Sequence, residues 1–82
     1  MELNEAQELF EEIMDLCYNI DNKKLHEISD AIYREVINAK DTNEIIILAE
    51  ELQVNIDEMD LDEEGEDDIV QDIKENIEKL SE

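Results

Sequence analysis

Asp41-Thr42-Asn43-Glu44-Ile45-Ile46-Ile47-Leu48-Ala49-Glu50-Glu51-Leu52 is the stretch on which the fold class turns. Ile45 to Ala49 are apolar at five consecutive positions. A run of this kind suits a buried strand as well as a helix. One short strand has no partner in this chain, and Glu50-Glu51-Leu52 continues a helix. Asp41 with Glu44 has the spacing of a capping box, in which an N-terminal side chain and a carboxylate three residues on satisfy each other's backbone. The spacing predicts a nearly encircled central helix that starts near Asn43 and fades by about Gln53.

Helical periodicity extends outward on both sides. Ala6, Leu9, Phe10, Ile13, Met14, Leu16, Cys17 and Ile20 recur in steps of three and four, one stripe of a helix over about 4–19. Asn4 followed by Gln7 reads as its N-cap and reciprocal partner. Asn19-Ile20-Asp21-Asn22 reads as a turn, since Asp and Asn bond their own backbone. A second helix runs to about Ala39 with Leu25, Ile28, Ile32, Val36 and Ala39 inward, and Tyr33 and Ile37 widening the stripe. Residues 54–68 are the least regular part, with room for a short turn of helix, and end in the acidic stretch Asp62-Glu63-Glu64-Gly65-Glu66-Asp67-Asp68. A last helix over about 67–80 turns Ile69, Val70, Ile73, Ile77 and Leu80 inward. Its acids come early and Lys74 and Lys79 late, as the helix dipole favours. The expectation is an all-α chain: a single domain, 1–82, folded as a small four-helix bundle with an acidic loop between helices 3 and 4.

The 82 residues carry 27 Asp+Glu against 6 Lys+Arg, a formal net charge of -21. Residues 57–82 hold 13 acids and 2 bases, against 14 and 4 in residues 1–56, so charge density is about twice as high in the last third. Phosphate repels such a chain, which argues against direct binding of nucleic acid or of an anionic membrane. No apolar run approaches the roughly 18 residues of a membrane span. The opening Met1-Glu2-Leu3-Asn4-Glu5 lacks the basic start and apolar core of a signal peptide. A lone Cys17 fits a reducing, cytoplasmic setting. Solubility alone needs a net charge of only about 2–8 in magnitude in a small domain. A strongly basic partner protein is the natural explanation of the excess.

The loop Asp60-Leu61-Asp62-Glu63-Glu64-Gly65 resembles the opening of a calcium-binding EF-hand loop, with Asp60, Asp62 and Glu64 at the ligand places. Asp67 then stands where an apolar residue belongs, and Gln71 where a bidentate Glu is needed, so no metal or other cofactor is expected. His26 has no Cys or His at ligand spacing and reads as a surface or capping histidine. Cys17 lies on an apolar stripe without a basic neighbour and reads as buried and inert. No inward position is acidic, so no carboxylate pair is set up for acid–base chemistry. The chain therefore reads as a binding protein, not an enzyme. Phe10 reads as core. Tyr18 and Tyr33 suit either a core edge or an interface, where tyrosine is enriched.

In the order and spacing of these segments the chain resembles the colicin-type nuclease immunity proteins, acidic four-helix bundles that bind a basic nuclease toxin. The resemblance rests on Asn4-Glu5-Ala6-Gln7-Glu8-Leu9-Phe10, on Lys40-Asp41-Thr42-Asn43-Glu44-Ile45-Ile46, and on Glu63-Glu64-Gly65-Glu66-Asp67-Asp68 leading into Ile69-Val70-Gln71-Asp72-Ile73-Lys74. It implies a recognition face with helix 2 acids such as Glu27, Asp30 and Glu35. The chain departs from the family where two adjacent anchoring tyrosines would stand, at about Ile47 and Leu48, in its lack of proline, and in a longer connection over 49–62. An acyl carrier protein, also small and acidic, needs a serine after an aspartate at a helix start. Here Asp41 is followed by Thr42, and Ser29 lies mid-helix after Ile28.

The function expected is inhibition or antagonism of a basic nuclease or nucleic-acid-binding protein by carboxylates standing in for phosphates, as in an immunity protein or a DNA mimic. The candidate contacts are Glu63, Glu64, Glu66, Asp67 and Asp68, then Glu8, Glu11, Glu12 and Asp15 on one outer face of helix 1, with Glu27, Asp30 and Tyr33 from helix 2. The alternative is a regulatory module that binds a partner helix through an apolar groove at Ile45, Ile46 and Ile47, a homodimer being its simplest form, or a calcium-responsive loop.

Overall fold

The computed structural model describes residues 1–59 and 67–81. Among these residues four helices form: α1 (Leu3–Asn19), α2 (Lys23–Ile37), α3 (Thr42–Met59) and α4 (Asp67–Ser81). No strand occurs among them, so the apolar run of residues 45–49 is helical. The acidic stretch 60–66 lies outside the described residues. Each helix packs on its neighbours in order, and α4 closes the ring on α1, whereas α1 and α3 touch more slightly across the diagonal. The result is a four-helix bundle with principal extents of 35 × 23 × 18 Å.

One stripe of each helix supplies the core. Phe10, Ile13 and Cys17 of α1 are wholly buried, together with Leu25 and Val36 of α2, Ile45, Ala49 and Leu52 of α3, and Ile73 of α4. These recur at three- and four-residue steps, so each helix presents a single apolar face to the centre. Phe10 stacks nearly parallel on Tyr33, with ring centroids 6.3 Å apart. Ser29 is also fully buried. Its hydroxyl donates to the His26 carbonyl, 3.1 Å away, so a polar residue occupies an inward place of α2 at little cost.

Helix ends are fixed by local hydrogen bonds. The Asn22 side chain accepts from the Leu25 N–H at 3.0 Å and caps α2. Asp41 accepts from the Glu44 N–H at 3.0 Å, and the Glu44 carboxylate reaches back to the Lys40 N–H at 2.8 Å. The capping box is thus present, with its return bond one residue earlier than the usual form. At the start of α1 the expectation fails. The helix begins at Leu3 after an extended Glu2, and the Ala6 N–H bonds the Glu2 carbonyl. Leu3 packs against the core, so its burial draws the start forward and leaves Asn4 exposed inside the helix. Gln7, freed from capping, donates instead to the Val36 carbonyl at 3.2 Å and ties α1 to the last turn of α2.

Three further expectations are corrected. Helix α3 does not fade at Gln53. Ile45, Ala49, Leu52 and Ile56 form one buried stripe at steps of four, three and four, which carries the helix on to Met59. Nor is α3 encircled: Ile47 is 58% exposed and Val54 56%. They stand two turns apart, on the face away from the stripe. Ile37, expected to widen the inward stripe of α2, is 53% exposed.

Ile45 and Ile47 therefore make a sharp comparison within one run. Ile45→Ala is expected to cost about 2–5 kcal/mol of unfolding free energy through the cavity it leaves. Ile47→Ala should stay within about 0.5 kcal/mol, since it removes no core contact. Urea titrations of both variants check this; equal losses would restore the encircled helix.

Candidate functional site

Helix α1 carries Glu5, Glu8, Glu11, Glu12 and Asp15 and neither Lys nor Arg. The amphipathic stripe that buries Phe10, Ile13 and Cys17 forces the acids to the opposite side, where all five are exposed. The helix rise sets successive turns about 5.4 Å apart, so Glu8, Glu11/Glu12 and Asp15 form a ladder of carboxylates down the outside of the bundle.

Both flanks of this ladder are grooves. Between α1 and α2 a groove of about 350 Å³ is lined by Glu11, Met14, Asp15, Tyr18, Asp30 and Tyr33. The Tyr33 hydroxyl donates to Glu11 at 2.8 Å, and the Tyr18 hydroxyl donates to Asp30. Each phenol is held above its ordinary pKa of 10.0, first by this hydrogen bond to a carboxylate and then by desolvation, because ionisation would set two negative charges against each other. Tyr18 also tilts over the His26 ring, with centroids 4.8 Å apart. His26 Nε2 lies 2.6 Å from the Ile20 carbonyl. The imidazole thus pins the turn between α1 and α2 and fixes where Tyr18 stands, a capping role of the kind expected from the sequence.

Between α1 and α4 a second groove, of about 340 Å³, is lined by four acids, Glu12, Asp15, Asp72 and Glu75, with Leu16, Asn76 and one cation, Lys79. The acidic surface is therefore continuous from Asp30 on α2, over Glu11, Asp15 and Glu12, to Asp72 and Glu75 on α4. Among the described residues one ion pair forms, Lys74–Asp57 at 3.1 Å, and it lies between α4 and α3, away from this surface.

The structure brings Glu11, Glu12, Asp15, Asp30 and Tyr33 together at these two grooves, of the residues expected from the sequence. Glu8 is exposed one turn up the α1 ladder, and Glu27 is exposed one turn before Asp30 on α2. Asp68 is exposed one turn before Asp72, and Asp67 opens α4. Glu63, Glu64 and Glu66, and the calcium candidates Asp60 and Asp62, lie outside the described residues. Asp72 and Glu75 were missed by the sequence reading. Their signal was present: Asp68, Asp72 and Glu75 recur at steps of four and three, the same test that found the α1 ladder.

Among the described residues no group of three or more His, Cys, Asp or Glu side chains is placed to hold a metal ion. None of their helices is long and apolar enough to cross a membrane. Cys17 is wholly buried, and burial pushes its thiol up to about 12. The chain matches no family model, no curated protein and no solved structure.

The geometry fixes three measurable outcomes. Cys17 should resist iodoacetamide in the folded protein at about pH 8 and react once urea unfolds it. Its contribution to stability should be complete below 9.0 and should fall as pH rises toward about 12, because in that window the unfolded chain gives up the thiol proton while the folded one keeps it. The acidic surface should make stability rise with salt, since added ions weaken repulsion between exposed like charges and largely remove it beyond a Debye length, about 10 Å at 0.1 M. A gain of about 1 kcal/mol would appear as about 4–8 °C in Tm. A Tm that does not change with sodium chloride would show that the carboxylates do not repel each other appreciably.

Proposed function

We propose that the chain is a non-enzymatic inhibitor of a basic protein that cuts or binds nucleic acid, acting in the cytoplasm by presenting carboxylates where that protein expects phosphates. The observation that carries this reading is the α1 ladder: exposed acids without a base on the same helix, extended on both sides by Asp30 and by Asp72 and Glu75. A surface of this kind costs folding stability through self-repulsion and returns it only when a partner supplies cations. It also raises the encounter rate with such a partner by roughly 10–10³.

Tyr18 and Tyr33 add what carboxylates lack. Each ring gives flat apolar area beside the acids, and each hydroxyl holds a carboxylate in place before the partner arrives. Pre-ordered side chains lose less entropy on binding. An arginine of the partner can pair with the carboxylate and lie on the ring at the same time. Mechanistically this is competitive occlusion: the inhibitor covers the basic cleft, and nucleic acid is excluded for as long as the complex lasts. The resemblance to nuclease immunity proteins and the broader class of DNA mimics both fit this chemistry.

The test is capture from a source-cell lysate on the immobilised full chain at about 50 mM salt, with duplex DNA as competitor. The captured set should be enriched in basic nucleic-acid-handling proteins, released by rising salt and by the DNA. The double variant Glu11→Lys, Asp15→Lys should retain about tenfold less, a difference of about 1.4 kcal/mol. Capture that DNA fails to displace, or that survives the charge reversal, would sink the proposal.

A further inference from the structure

The bundle has a second surface whose chemistry is unlike that of the acidic face. Because α1 and α3 sit across the diagonal, their outer sides face opposite ways. The outer side of α3 carries two exposed apolar residues, with the exposed Glu50 and Glu51 on the turn between them. Ile47 and Val54 are more than half exposed and stand on one line two turns apart, and Leu48 is half-buried beside them. Ile37, in the last turn of α2, is exposed too.

Two grooves meet at Ile47. One, of about 510 Å³, is lined by Arg34, Glu35, Asn38, Glu44, Ile47 and Leu48. The other, of about 420 Å³, is lined by Ile47, Glu50, Glu51, Val54 and Asn55. From Glu44 to Asn55 the channel follows α3 for about 16 Å at the helical rise, or roughly three turns. Exposed branched side chains in one line lower solubility and contribute nothing to this core. With Ile37 they cluster three of the five large exposed hydrophobics of the described residues around one corner of the bundle, which marks a contact surface.

Charge decides the occupant. The apolar floor is rimmed by Glu35, Glu44, Glu50 and Glu51, with Arg34 the one cation lining either groove. A second copy of this chain would bring the same acidic rim and a further net charge of -21 against it. An anionic membrane surface is repelled for the same reason. The rim suits a ligand whose apolar line is bordered by cations, and a groove of three turns suits a helix.

We propose that the outer face of α3, with the last turn of α2, docks an amphipathic helix of a partner protein that presents apolar residues at i, i+3 or i+4, and i+7 between flanking Lys and Arg. Ile47 and Val54 receive the apolar line, while Glu44, Glu50 and Glu51 pair with the flanking cations and set its orientation. The site is separate in space and in residues from the α1 face. The chain can therefore hold one basic partner on its acidic ladder and a helix, of the same or another protein, on the opposite corner.

The probe is a synthetic helical peptide of about 14 residues with Leu at i, i+3, i+4 and i+7 and Lys elsewhere on its flanks, titrated into the full chain by fluorescence anisotropy. The control is a scrambled peptide of the same composition. Backbone amide NMR shifts locate the bound peptide. The patterned peptide should bind about tenfold more tightly than the scrambled one, with shifts concentrated in residues 34–55. Ile47→Asp and, separately, Val54→Asp should each weaken it about tenfold while leaving Tm within a few degrees, since both positions are exposed. Glu11→Lys with Asp15→Lys should leave this peptide's affinity within about twofold, though it cuts the capture described above about tenfold, so either reading can fail alone. Equal binding of the scrambled peptide, shifts on α1, or unchanged affinity in both Asp variants would overturn the proposal. A dimer in sedimentation that Ile47→Asp dissolves would overturn it in favour of a second copy.

Discussion

A core drawn from four narrow stripes has to hold together a chain of net charge -21. Every other feature of the bundle follows from that balance. Phe10, Ile13 and Cys17 bury completely against α2 and α4, and this burial is what keeps the carboxylates of α1 at close quarters on the other side of the same helix. The two faces are coupled by geometry, because a helix that turns Phe10 and Ile13 inward must turn Glu8, Glu12 and Asp15 outward. A domain this small buries roughly 60–65% of its unfolded surface and has little stability to spare. Apolar burial that is indifferent to salt therefore opposes a charge repulsion that is not.

Local devices keep the balance from failing at the helix ends. Asn22 and Asp41 cap α2 and α3, and Gln7 satisfies the Val36 carbonyl from across the α1–α2 interface. His26 holds the Ile20 carbonyl, and Ile20 itself is fully buried. The α1–α2 connection is thus anchored from both sides, and Tyr18 and Asp30 are set beside it. The acidic groove between these helices inherits its definition from a turn whose own contacts are neutral. That arrangement lets the acids be exposed without being loose.

Much of this was legible from residue spacing. The all-α class, the burial of Phe10 and Cys17, the α3 cap and the inward line of α4 all depend on contacts between residues three or four apart, which sequence records directly. The errors share a cause. Ile45 to Ala49 read as encircled because five apolar residues in a row carry no phase of their own; the phase came from Leu52 and Ile56, further along the same stripe. Ile56 stands among Asn55, Asp57 and Glu58, which hides its place in the stripe one turn from Leu52. Asn4 was given a capping role on its chemistry, but the burial of Leu3 decided where the helix starts. Asp72 and Glu75 share a face with Asp68 by their spacing, but that this face lies beside Glu12 and Asp15 follows only from the packing of α4 on α1, a relation between residues some 60 apart. Of the expected contacts, Glu63, Glu64 and Glu66 lie outside the described residues, and the acidic surface stands on α1, α2 and α4.

The placement of the six cations bears on which surfaces are meant to be met by a partner. Lys74 pairs with Asp57 and joins α4 to α3. Arg34 sits among the α3 groove residues, and Lys79 lines the α1–α4 groove. None lies on α1. If solubility were the end served by the acids, cations spread among them would leave solubility intact and relieve the repulsion, since an interspersed surface of lower net charge is enough. Such a pairing on α1 would need one Lys at a position four residues from an existing Glu, the commonest stabilising pair on a helix surface. The chain lacks even that one change on α1. Keeping α1 free of cations sacrifices stability in the isolated protein, and the loss is recovered when the missing positive charge arrives from outside.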